Sequence, residues 1–142
     1  MKQLPKTANP IVIRTDFENQ KAWEAICEML RAPVHGGSQT FYAYLELVED
    51  SDYRDLSKEE VLAVLPEDYD HSFFFVTDRA AVPHPEFPIL AVDLYETRGR
   101  SFRTIPSQVQ GIENNLSIAN MGFEEFADAV DADGIFRGFP KS

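Results

Sequence analysis

The apolar positions of this chain run in two alternating rhythms, and the changes between them mark out its elements. Ile11-Val12-Ile13 is a short apolar run, opened by Pro10 and closed by Arg14-Thr15-Asp16, as where a strand turns into a helix. From about Phe17 to Arg31, Trp23, Ile26, Cys27 and Leu30 recur at i, i+3, i+4 and i+7, which predicts a helix with Cys27 facing the core. Thr15 or Asp16 is its expected N-cap, Thr15 and Glu18 stand at capping-box spacing, and Ala32-Pro33 ends it. Phe41 to Val48 alternates as a strand does when one face is better covered than the other. Ser57 with Glu60 forms a second capping box and Leu56 with Val61 a staple, for a helix running through Val64 and Leu65 to stop at Pro66.

Phe73-Phe74-Phe75-Val76 has no alternation, so it reads as a central strand buried on both faces. Ile89 to Tyr95 is another buried strand, and Arg98-Gly99 turns it into a last one, Ser101 to Ile105. In Phe123 to Val130 the helical period returns, with Phe123, Phe126, Ala127 and Val130 on one face. Gly122 is its expected N-cap, Glu125 reaches back, and Met121 can staple onto Phe126. Asp131-Ala132-Asp133-Gly134 is the expected stop, with Gly134 taking positive φ. It is not a calcium loop: aligning Gly134 with that loop's invariant glycine puts Ala129 and Pro140 where oxygen ligands are required.

The order β-α-β-α-β-β-β-α predicts an α/β fold, a single-domain mixed sheet of about five strands with helices packed on both sides. The globular domain spans residues 10–139, and residues 1–9, rich in lysine, proline and small polar residues, read as a flexible lead-in. Val34 to Thr40, around Gly36-Gly37, reads as a flexible connection. A thioredoxin-like layout is the runner-up, since Phe87-Pro88 stands before a strand where that fold keeps a cis proline; its redox motif is absent.

Composition is that of an ordinary globular domain, but the charge is not. Of 142 residues 44% are hydrophobic, while 24 acidic against 13 basic residues give a net charge of −11. Such a surface repels phosphate backbones and anionic lipid, which disfavours nucleic acid and membrane as partners and favours a basic protein. Cys27 is the only cysteine, which excludes an intramolecular disulfide and a four-cysteine zinc site. With no apolar leader after the first lysines and no run of membrane-spanning length, the expected location is the cytoplasm.

Candidate chemistry is sparse. His35, His71 and His84 all fall in expected loops with no nucleophile motif beside them, and no cofactor is implied. If the first and third strands run parallel, Asp16 and Asp78 meet at the sheet's carboxyl edge, where open α/β sheets place ligands, with Asp93 nearby as a third oxygen donor suited to magnesium. Against that metal site, Asp16 can be a helix cap, Asp78 a turn residue paired with Arg79, and Asp93 one half of an ion pair with an arginine. Arg98, Arg100 and Arg103 form the one basic cluster, an anion clamp or a solvated turn balanced by Asp93 and Glu96. Glu113, Asn114, Asn115 and Asn120 lie in a segment too polar for plain core and too apolar for a solvated loop. They are either scaffold, satisfying a tight connection, or a polar recognition surface.

GIENNLSIANMGFEEFADAVDADGIFRGF, with NPIVIRTDF, HSFFFVTDR and ILAVDLYE upstream, resembles a family of small acidic bacterial proteins classed as a domain of unknown function. The resemblance covers Asn9 to Phe139 and implies no reaction, cofactor or catalytic residue; where this chain has Gly122 the family usually has an acidic residue. Size, charge and the lack of a catalytic constellation together favour a non-enzymatic protein-interaction module, an immunity- or antitoxin-like inhibitor of a basic partner. The alternative is a small hydrolase dependent on a divalent metal held by Asp16, Asp78 and Asp93.

Overall fold

The computed structural model describes residues 2–140. Ile11–Arg14 forms β1, Gln20–Arg31 α1, Val34–Gly36 and Gln39–Phe41 the hairpin β2–β3, Glu46–Val48 β4 and Lys58–Val64 α2. Phe73–Thr77 is β5, Ile89–Asp93 β6, Ser101–Thr104 β7, Val109–Ser117 α3, Phe123–Ala127 α4 and Ile135–Phe136 β8. Six strands make one mixed sheet in the order β4-β1-β5-β6-β7-β8. β1 lies between two parallel neighbours, β5 to β7 form an antiparallel meander, and β8 adds parallel to β7.

The α/β class with helices on a mixed sheet holds, and the run of phenylalanines explains the layering. Alternate β5 side chains enter two different cores: Phe73 and Phe75 pack with Ile26 of α1, Ile112 of α3 and Phe126 of α4, whereas Phe74 and Val76 pack with Val61 and Val64 of α2. A strand covered on both faces has no polar side to show, hence no alternation. The capping box of α2 is complete, Ser57 Oγ accepting from the Glu60 N–H at 3.1 Å and Glu60 Oε1 from the Ser57 N–H at 3.0 Å.

Several boundaries differ from those expected. α1 begins later, capped by Asn19, whose Oδ1 accepts from the Ala22 N–H at 3.0 Å. Thr15 and Asp16 still run with the sheet, their N–H groups bonded to Thr77 O at the end of β5, and so lie too early in the chain to cap it. Val34 to Thr40 is a hairpin rather than a loose connection. The stretch from Phe41 to Val48 is not one strand: residues 42–45 leave the sheet, with the Tyr44 N–H donating to Glu113 instead of to a neighbouring strand. α4 stops at Ala127, short of Val130, and Gly134, at φ 81°, shapes the turn into β8 rather than the helix end. The lead-in is tied down: Leu4 is buried against α2 with its N–H on Val64 O, and Gln3 O accepts from the Tyr53 hydroxyl. All peptide bonds among the described residues are trans, Phe87–Pro88 included.

Candidate functional site

A cleft of about 590 Å³ opens between the start of β5, the β6–β7 turn and the α3–α4 junction. Asp70, Asp93, Glu96 and Glu124 line it, and no lysine or arginine does among the described residues. Glu96 faces Glu124, and the hydrogen bond and negative charge of Glu124 hold the Glu96 carboxyl above the ordinary carboxylate range. One Glu124 carboxylate oxygen is buried without a partner. Tyr95 stands on the rim, 79% exposed.

The polar segment singled out in the sequence forms one wall. It is helical where a connection was expected, and its end is a Schellman motif: the Asn120 N–H donates to Asn115 O at 2.9 Å and the Ala119 N–H to Leu116 O at 3.2 Å. Ala119 sits at φ 56° where glycine is usual. Asn115 Nδ2 donates to Gly111 O, and Asn120 Nδ2 donates to Asn115 Oδ1, each at 2.8 Å. Glu113 is only 4% exposed and acts at a distance, accepting from the Tyr44 N–H at 2.8 Å and from the Ser117 hydroxyl at 2.6 Å. Of the four candidates, only Asn120 lines the cleft, beside Ser117; Asn114 is exposed on the helix.

The three aspartates do not converge. β1 and β5 do run parallel, which brings Asp16 and Asp78 to one carboxyl edge, but Asp93 pairs with Phe73 at the opposite end of β5. Each carboxylate is also already engaged. Asp16 Oδ1 accepts from the Glu18 N–H at 2.8 Å. Asp78 receives both Arg103 Nη atoms at 2.9 and 2.8 Å and the Ala81 N–H, so its partner is Arg103 rather than Arg79. Asp93, 2% exposed, holds no arginine: Oδ1 accepts from the Tyr95 N–H and Oδ2 from the Thr97 N–H, both at 2.9 Å. Those bonds close the β6–β7 turn and answer the cost of burying a charge. No group of three or more acidic, histidine or cysteine side chains among the described residues is placed to hold a metal ion.

Sequence reading passed over Arg14. From β1, α1 leads to β4 over one face of the sheet, and α2 leads on to β5 over the other, so the crossovers diverge at the carboxyl ends of β1 and β4. Arg14 fills that point. It is 2% exposed, with its guanidinium over the rings of Phe17 and Trp23 at 4.4 and 5.2 Å. Nε donates to Asp16 O, and Nη1 donates to Gln20 and to Glu49 at 2.8 and 2.7 Å; Nη2 is buried without a partner. An arginine directly after an apolar strand was the available signal.

The remaining candidates are dispersed. His35 braces its hairpin against Thr40, His84 accepts from the Glu86 N–H, and His71 donates to Thr7 O at the cleft margin. Cys27 is buried on α1, and desolvation pushes its thiol pKa up. The basic cluster splits: Arg100 reaches Asp128 at 2.7 Å and Arg103 reaches Asp78, so neither balances Asp93. No helix among the described residues is long and apolar enough to cross a membrane. Neither a curated protein nor a solved structure matches the chain. Residues 9–139 match the family described as Domain of unknown function (DUF6924), and the chain belongs to that family.

Proposed function

We propose that this chain is a non-enzymatic protein-interaction module that inhibits a basic partner in the manner of an immunity protein or antitoxin. The observation that carries the reading is the cleft, where Glu96 and Glu124 face each other and no lysine or arginine lines the walls among the described residues. Two carboxylates held together repel unless one keeps a proton, and a lysine or arginine side chain from a partner would remove that cost by lying between them. The net charge of −11 would raise the rate of encounter with such a partner, and Tyr95 at the rim is the kind of exposed aromatic that anchors interfaces.

The test is titration with a tetra-arginine peptide at neutral pH, followed by amide chemical shifts. Wild-type protein should show saturable shifts centred on residues 93–97 and 119–124, weakened by salt, and Glu96→Gln with Glu124→Gln should abolish them. Shifts spread evenly over the acidic surface, or unchanged in the double variant, would remove the cleft as the binding site.

A further inference from the structure

We infer that the free edge of β4 is a second docking surface, which takes an extended segment of alternating apolar and basic residues from the partner as an added strand. β4 ends the sheet order, so it is paired on one side only. The Glu46 N–H donates inward to Pro10 O at 2.8 Å. Because successive residues of a strand direct their backbone groups to opposite sides, the N–H and C=O of Leu47 point outward, the arrangement that strand addition uses.

Beside that edge runs a groove of about 240 Å³, floored by Leu30, Ala43, Leu45 and Leu47 and flanked by Arg31 and Glu46. Side chains on one parity of an added strand would enter it. Those on the other parity would meet Glu46, which is exposed and has no cationic partner among the described residues. Just before the strand, Phe41, Tyr42 and Tyr44 are exposed, and Glu113 fixes the backbone that carries the last of them. Aromatic side chains held on a pinned backbone supply contact area with little entropy left to lose. A second copy of this chain is a poorer occupant, since it would bring its own excess of negative charge to the edge. The inference shares the basic partner with the function proposed above but not the cleft, so the two can fail separately.

The probe is the capped peptide (Val-Lys)4, with (Val-Glu)4 as control, and the readout is hydrogen exchange at the Leu47 amide. With (Val-Lys)4 the exchange of Leu47 should slow by about tenfold or more. The acidic peptide should leave it unchanged, and Glu46→Lys, at an exposed side chain, should abolish the effect while the fold persists. Equal slowing by both peptides, or none at saturation, overturns the inference. Protection that grows with protein concentration in the absence of peptide would give the edge to a second copy and overturn it as well. Shifts at Glu96 and Glu124 without protection at Leu47 would overturn the edge while leaving the cleft intact.

Discussion

Glu113, buried in the middle of α3, accepts a hydrogen bond from the main chain of Tyr44 at 2.8 Å, tying a helix to the segment that has left the sheet. Its other oxygen takes the Ser117 hydroxyl. Glu113→Ala leaves both donors without their acceptor, so it should cost about 1–3 kcal/mol in chemical denaturation. Glu113→Gln keeps an acceptor for Tyr44 and should recover most of that loss; equal losses in the two variants would show that the packing of the side chain, not its hydrogen bonds, matters.

The three asparagines should separate in the same assay. Asn115 is half-buried and bonded through both ends of its amide, so Asn115→Ala should be clearly destabilising, by about 1 kcal/mol or more. Asn114 is exposed with no side-chain bond among the described residues, and Asn114→Ala should stay within about 0.5 kcal/mol of wild type. Asn120→Ala should fall between them.

Ala119 offers a gain instead of a loss. An L-residue at φ 56° carries a steric cost that glycine escapes, of about 1–2 kcal/mol, partly offset by the greater freedom of glycine in the unfolded chain. Ala119→Gly should therefore raise the denaturation midpoint, with a net gain of up to about 1 kcal/mol. A lower midpoint would mean that the methyl group makes a contact worth more than the strain.

The cleft should leave a signature in pH. The Glu96 carboxyl titrates higher in the folded protein than in the unfolded chain, so its contribution to stability is fully present below the unfolded value of about 4.3 and is lost as pH rises through the folded value. Glu124→Gln removes the cause. The variant should melt higher than wild type at about pH 7, and the difference should vanish as pH falls toward the unfolded carboxylate value. A difference that is constant with pH would mean the two side chains do not interact. Glu86 and Asp133, both lowered by Arg137, act in the opposite sense in both proteins and cancel in the comparison.

What could be read from residues alone was whatever a side-chain rhythm controls. The phenylalanines of β5 announced a two-sided core, and the Trp23, Ile26, Cys27, Leu30 stripe announced α1. α3 stayed hidden although Val109, Ile112, Glu113 and Leu116 stand at helical spacing, because its third buried position is a carboxylate. A pattern search discards a glutamate as core, and only the tertiary approach of Tyr44 shows why it can be one. Asp93 illustrates the same limit. It had to be satisfied, but whether by an arginine or by two main-chain donors depended on how tightly the β6–β7 turn closed. The cleft was legible only in part, through Asn120 and Asp93, since the Glu96–Glu124 approach joins the β6–β7 turn to the first turn of α4, far apart in sequence.

The placement of β1 between β4 and β5 governs the order in which the chain can assemble. β5, β6 and β7 are neighbours both in sequence and in the sheet, so their ladder closes with little loop entropy, whereas β1 must wait for partners from much later in the chain. The meander is the expected folding nucleus and the amino-terminal strand a late arrival. Truncating Val92 should therefore slow folding, and truncating Val12 should mainly speed unfolding, in a φ-value comparison. A chain emerging amino-terminus first would then hold its β1 open on the β5 side until residues 73–77 have been made, leaving Ile11, Val12 and Ile13 as the segment most in need of shelter during synthesis.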